Sequence, residues 1–248
     1  MPHETMRVEI GSDRVAMLFL SRPEKRNAIS IAMRREVSAC LAAWSEDDAV
    51  GAAVVTGDGG AFSAGFDLEE FQRPERFGEL FETSARYHRD LWRFPKPLVA
   101  AVNGPALGGG FDLATLCDVR IASGRASFGH PEVKLGAPPL YTPLRWIVGE
   151  GVARDLCLTG RRMDASEAQR AGFLSSVVED PRQLVDRACA LARTILEAPS
   201  QTLRFTKGFF TGSAAAAFEE SFQVEHDRAF REVILPAMTA RAVRPGEP

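Results

Sequence analysis

Two short runs, Gly51–Thr56 (Gly-Ala-Ala-Val-Val-Thr) and Leu98–Val102 (Leu-Val-Ala-Ala-Val), are apolar without alternation. A strand with one wet face alternates apolar and polar side chains. An unbroken run reads instead as a strand buried on both faces, the condition inside a parallel sheet covered by helices. Each run ends in a turn, Gly57-Asp58-Gly59-Gly60 in one case and Asn103-Gly104-Pro105 in the other. Helical spacing fills the intervals, over Ile31–Trp44 with Ser30 as its N-cap, over Phe81–Trp92, and over Gly109–Cys117. Val119–Ala122 reads as a third buried strand. Met6–Ile10 and Val15–Leu20, around Gly11-Ser12-Asp13-Arg14, read as an antiparallel hairpin. Strands alternating with helices predict an α/β chain with crossover connections.

From Pro181 the pattern changes to helix after helix: Gln183–Leu196, Gln201–Phe210 and Ala215–Phe230. The expected organisation is an α/β core over residues 1–180 and a helical region over residues 181–248. Residues 242–248 read as a frayed tail. The apolar faces of the last helices (Leu184, Ala188, Leu191 and Ile195, then Phe218, Phe222 and Phe230) read as part of the chain's own core.

Composition narrows the function. The 248 residues are 45% hydrophobic and 25% charged, the proportions of an ordinary globular protein rather than a disordered or collagen-like chain. Thirty basic and 33 acidic residues give a net charge of −3, so nucleic acid is not an expected partner. Cys40, Cys117, Cys157 and Cys189 form no Cys-x-x-Cys pair and sit among apolar neighbours, as buried thiols of a reducing compartment do. The first residues show no signal-peptide pattern and no run is long enough to span a membrane, so a cytoplasmic protein is expected. His3, His88, His130 and His226 are too scattered to predict a metal site.

Two loops following the buried strands are the places for chemistry. They are Ala61–Leu68 (Ala-Phe-Ser-Ala-Gly-Phe-Asp-Leu) and Asn103–Gly110 (Asn-Gly-Pro-Ala-Leu-Gly-Gly-Gly). Free N–H groups at helix starts and in glycine turns attract negative charge, and two converging on one point make an oxyanion hole. The alternative is a tight turn that lets strand and helix pack closely. Neither Gly-x-Gly-x-x-Gly nor a phosphate-binding Gly-x-x-x-x-Gly-Lys loop occurs in a strand–helix context, and there is no Gly-x-Ser-x-Gly elbow.

Seven segments in order carry a family resemblance: Arg22–Ala28 (Arg-Pro-Glu-Lys-Arg-Asn-Ala), Phe62–Leu68, Lys96–Gly104, Ala106–Gly110, Cys117–Ala122, Phe128–Glu132 (Phe-Gly-His-Pro-Glu) and Leu158–Arg162. Together, from about Val8 to Phe230, they resemble the enoyl-CoA hydratase/isomerase (crotonase) superfamily. The resemblance implies a crotonase-like (ClpP/crotonase) α/β spiral of ββα units with a C-terminal helical region. It implies an acyl-CoA thioester whose carbonyl oxygen lies between two backbone N–H groups, here those of Phe66 and Gly109. It implies a carboxylate pair, Asp112 and Glu132, managing a water and a proton. Without it, Asp112 reads as a helix-start charge and Glu132 as a loop charge.

The resemblance further implies that Lys25, Arg26 and Lys207 meet the CoA phosphates. Ala28, Ala64, Gly65, Asp67, Leu68, Gly108, Pro131, Leu140 and Tyr141 complete the expected substrate contacts. No tightly bound cofactor is implied, only coenzyme A carried by the substrate. The assembly implied is a homotrimer, or a hexamer of paired trimers.

Two departures from the family pattern bear on the reaction. Asp112 stands where the hydratases carry Glu, and a misplacement of about 1 Å can cost roughly a hundredfold in rate. The glycine-rich loop after Glu132 is replaced by a shorter segment, Gly136–Arg145, holding three prolines and Tyr141. Leu140 occupies the place where dienoyl-CoA isomerases and halobenzoyl-CoA dehalogenases carry a further Asp. The expected function is therefore enoyl-CoA hydration. The alternatives are an enoyl-CoA isomerase using Glu132 as single proton shuttle, or a non-catalytic acyl-CoA binder.

Overall fold

A computed structural model describes residues 3–237 and 239; the expected tail, 242–248, lies outside the described residues. The hairpin forms as its turn residues predict. Strands β1 (Met6–Ile10) and β2 (Val15–Leu20) pair antiparallel, with Val8 opposite Leu18. β2 then runs parallel to β3 (Ala52–Gly57), β3 to β4 (Leu98–Val102), β4 to a strand at Val119–Ser123, and that strand to one at Ser176–Val178. These make one six-stranded sheet.

The unbroken apolar runs are explained by two cores. Val15, Met17, Ala52, Val54, Val99 and Ala101 face one side, against Leu184, Ala188 and Ala192 of a C-terminal helix. Ala16, Leu18, Ala53, Val55, Ala100 and Val102 face the other, against the helices that carry Val37, Leu41, Tyr87 and Leu91. Successive residues point to opposite faces of a strand, so both faces must be apolar.

Each crossover has the same plan. The chain leaves the large sheet, makes a short extended segment, and enters a helix. β2 leads through Ile29 to α1 (Ile31–Glu46), where Ser30 Oγ accepts from Met33 N at 3.2 Å as the cap. β3 leads through Ser63 and Phe66 to α2 (Phe77–Arg93). β4 leads through β5 (Ala106–Leu107) to α3 (Gly109–Leu116). The Val119–Ser123 strand, β6, leads through β7 (Ser127–Gly129) to α4 (Thr142–Thr159). Parallel bridges join Ile29 to Phe66 and Ser63 to Ala106, and β5 pairs with β7, so the short segments stack beside one another. β8 (Arg162–Asp164) closes this second sheet, and α5 (Ala165–Arg170) leads to β9, the Ser176–Val178 strand.

Helix α6 (Leu184–Leu196) lies on the large sheet, followed by α7 (Ser200–Ser213) and α8 (Ala215–Phe222). The helix continues through π-helical turns to Ile234. Phe218, Phe222 and Phe230 are buried within this chain, so their apolar face serves the chain's own core. The exposed aromatic face belongs instead to α7, where Phe205, Phe209 and Phe210 are each more than half exposed.

One expectation is corrected here. Lys207 does not stand free for a phosphate. It is 4% exposed, and its Nζ donates to Asp118 Oδ2 and to the Lys96 carbonyl, both at 2.7 Å. Asp118 Oδ2 also accepts from Leu98 N at 2.7 Å, so the pair ties α7 to the starts of β4 and β6. Breaking a largely buried pair from one side leaves a charge uncompensated. Lys207→Met is expected to lower unfolding free energy by about 3 kcal/mol, measured by urea titration; a change within experimental error refutes this structural role.

Candidate active site

The two glycine-bearing loops are bound together by Ser63, which is fully buried. Its N–H donates to the Pro105 carbonyl at 3.1 Å, its carbonyl accepts from Leu107 N at 3.0 Å, and its hydroxyl donates to the Asn27 carbonyl at 2.8 Å. Phe66 and Gly109 are thereby brought to one cavity of about 230 Å³. Neither N–H has an acceptor among the described residues. Gly109 begins α3, where the first N–H groups have no partner within the helix. A Cβ there would stand 2.9 Å from the Phe66 ring, so any larger residue requires that ring to move.

The two carboxylates reach the same cavity from different elements. Asp112 lies in the first turn of α3. Glu132 lies in the 3-10 turn Pro131–Leu135 that follows β7. Glu132 Oε1 accepts from His130 Nδ1 at 2.8 Å, while Oε2 is buried with no hydrogen-bond partner. That oxygen lies against Gly108, 3.1 Å from where a Cβ would be, and Gly108 itself has φ +52°. An unpartnered buried polar atom costs on the order of 1–3 kcal/mol. Burial alone would push His130 down, but its bond to Glu132 and the charges of Glu132 and Asp112 outweigh burial and hold it above its ordinary value.

The rest of the wall mixes apolar and polar residues. Ala64, Gly65, Leu68, Gly108, Pro131 and Leu140, among the residues expected to meet substrate, line the cavity. Phe66 lines it with its ring, and Phe71, Phe230 and Ile234 join it. Sequence reasoning did not identify Ser84, Glu225 and His226 as members of the wall. His226 Nδ1 bonds Asp227 Oδ1 at 2.8 Å and Nε2 accepts from Ser84 Oγ at 2.7 Å. No local signal marks these residues, because α8 and its continuation reach the site only through the tertiary fold.

Several expected contacts lie elsewhere. Tyr141 is not in this wall. Its N–H donates to Glu225 Oε2 at 3.0 Å, and its ring faces Arg145 and a surface groove beside Arg154 and Leu158. Asp67 holds Arg22 Nη2 at 2.8 Å and accepts from Glu69 N at 3.1 Å, so its carboxylate is committed to the loop. Ala28 is buried beneath the rim, its carbonyl accepting from Arg22 Nη1. Lys25 and Arg26 are exposed beside the first loop, where the Arg26 carbonyl accepts from Ala64 N at 2.9 Å and Lys25 pairs with Glu69.

Residues 11–234 match the family description enoyl-CoA hydratase/isomerase. The chain belongs to the enoyl-CoA hydratase/isomerase family. A probable enoyl-CoA hydratase of Rhizobium meliloti is 41% identical, covering 79% of this chain and 76% of that protein. A crotonyl-CoA hydratase of Syntrophomonas wolfei is 34% identical, covering 92% of this chain and 86% of that protein. A crystal structure of an enoyl-CoA hydratase/isomerase from Pseudoalteromonas atlantica superposes with TM-score 0.87 at 28% identity, over 97% of this chain and 95% of that one. The crotonase fold implied by the sequence is thus the fold observed.

Within this family fold, His226 is the strongly perturbed histidine of the wall. Burial pushes it down to about 4, against the opposing pull of Asp227. An unfolded histidine takes its proton near pH 6.5. Between about pH 6.5 and about 4 the unfolded chain therefore holds more protons, and stability falls as pH falls. The expected loss from this residue is about 3 kcal/mol across that window. Urea midpoints of wild type and His226→Gln measure it: the variant should lack this acid-side loss, and parallel curves refute it.

Proposed function

We propose that this protein hydrates α,β-unsaturated acyl-CoA thioesters. The observation that carries the reading is Glu132 Oε2, buried and unpartnered in a cavity that also presents two free N–H groups and a second carboxylate. The thioester oxygen accepts from Phe66 N–H and Gly109 N–H. Water loses a proton to Glu132 Oε2 while its oxygen forms a bond to the β-carbon. The C=C electron pair moves toward the thioester oxygen, where the two donors hold the enolate. The enolate collapses and its α-carbon takes a proton from the Asp112 carboxyl. Proton return from Glu132 to Asp112 through solvent resets the pair, so one water is consumed per turnover.

Lys25 and Arg26, on the rim beside the first loop, are the proposed partners of the CoA phosphates. One small anion needs only local charge, so the net charge of −3 is no obstacle. Isomerisation of the double bond is the second reading. It is favoured by the inequality of the two carboxylates, since Glu132 alone has an oxygen sealed from solvent without a partner. The product distinguishes them: a hydroxyacyl thioester for hydration, a shifted double bond for isomerisation.

Decay of the conjugated thioester absorbance with crotonyl-CoA tests the proposal. Glu132→Gln is expected to lower kcat by about 10²–10⁴-fold, the usual range for a general acid–base group. If no acyl-CoA is turned over and Glu132→Gln changes nothing measurable, the enzyme reading fails.

A homotrimeric or hexameric assembly belongs to the same proposal. It is supported by the aromatic face of α7, where Phe205 and Phe209 pack edge to face at 5.0 Å and stay exposed. A cytoplasmic location is supported by four unpaired cysteines, three of them buried. Sedimentation of Phe209→Glu tests the assembly, with a shift to monomer expected and an unchanged coefficient opposing it.

A further inference from the structure

Resting on the hydration reading, we infer that His88 is the positioning partner of Asp112, and that the two together, rather than Asp112 alone, hold the proton destined for the α-carbon. His88 is 2% exposed on α2, and its Nδ1 lies 2.8 Å from the Ser84 carbonyl. A carbonyl oxygen only accepts, so Nδ1 carries the hydrogen. Nε2 is left facing Asp112 Oδ2 at 3.8 Å. Asp112 makes no side-chain hydrogen bond among the described residues, and both residues line the cavity.

Two bare acceptors do not face one another across such a gap without cost. One hydrogen, on Asp112 or on Nε2, or a water donating to both, removes the repulsion. In the proposed arrangement that hydrogen sits between Asp112 and Nε2, in the cavity that Glu132 also lines. The ring has little freedom to turn away. Phe66 packs edge to face on it at 5.8 Å, Phe222 lies at 5.5 Å and the His226 ring at 5.3 Å. His88 also answers the shortness of Asp112. A carboxyl set back by one methylene loses reach, and an imidazole locked beside it keeps its proton directed into the cavity. Each carboxylate then has its own buried histidine, His130 for Glu132 and His88 for Asp112.

Two variants separate this role from packing. His88→Asn keeps a donor near the Ser84 carbonyl and deletes Nε2, whereas His88→Gln keeps a polar atom near the Nε2 position. With crotonyl-CoA, His88→Asn is expected to lower kcat by about 10–100-fold with KM changed less than about twofold, and His88→Gln to recover part of the loss. In an Asp112→Asn background the same His88→Asn change should cost less than about threefold, because the two groups act as one. Equal losses in both backgrounds, or a wild-type kcat for His88→Asn, overturn the proposal. Should the wild-type protein leave every enoyl thioester untouched, the hydration reading falls by itself. The ring nitrogen-15 signals of His88 then decide the pairing. Asp112→Asn should move Nε2 and leave Nδ1 in place, and an unmoved Nε2 overturns it.

Discussion

The geometry of the site depends on the hydrogen bonds that Ser63 makes to both sides, with its backbone to Pro105 and Leu107 and with its hydroxyl to Asn27. Ser63 lies in the loop after β3, holds the loop before α3 through its backbone, and anchors through its hydroxyl to Asn27. Asn27 is itself locked. It sits at φ +55°, a conformation Asn tolerates better than most residues, and its amide donates to the Asp58 and Ala61 carbonyls. Three successive crossovers are therefore fastened at one depth. The Phe66 and Gly109 N–H groups owe their convergence to that fastening and to no side chain of their own. Preorganised donors need no rearrangement when charge develops, which is what an oxyanion site requires.

The legible part of the sequence was the part with strong local physics. Val54 and Val55 read correctly as a strand buried on both faces, because each is apolar and each faces a different core. Ser30 read correctly as a cap, because the N–H of Met33 needs an acceptor wherever α1 begins. The second sheet was not legible. β5 is two residues long, and no periodicity exists in two residues. Ile29, Ser63 and Phe66 join it only through single bridges. Its order comes from the large sheet beside it, so its signal is spread over the whole chain.

The same division applies to the site. The two loops and the carboxylates were legible, the first from glycine chemistry and the second from the resemblance. Lys207 was misread because a lysine in an amphipathic helix looks alike whether it meets solvent or a buried aspartate. Tyr141 was misread because its backbone is held by Glu225, 84 residues later, while its ring lies over a surface groove beside Arg154. The polar wall of Ser84, Glu225 and His226 was unreadable for the same reason. Contacts at that separation leave no local trace.

The replaced loop and the C-terminal helices also explain one another. A glycine-rich loop is adaptable and needs an external hold, whereas Gly136–Arg145 is stiffened by Pro138, Pro139 and Pro143. A stiff loop still has to end at a fixed point. Glu225 provides it, accepting from Tyr141 N and Thr142 N and bonding the Thr142 hydroxyl, which places a negative charge on the N-terminus of α4. The helix start gains acceptors for two otherwise unpaired N–H groups, and Leu140 is held against the cavity. His226, next in sequence, then stacks on Phe222 at 4.5 Å and lines the cavity beside His88. One turn of the C-terminal helix thus sets both a limit of the cavity and the packing of the ring that faces Asp112. A substitution that loosens Glu225 would therefore act on the chemistry through His88 as well as on the size of the pocket.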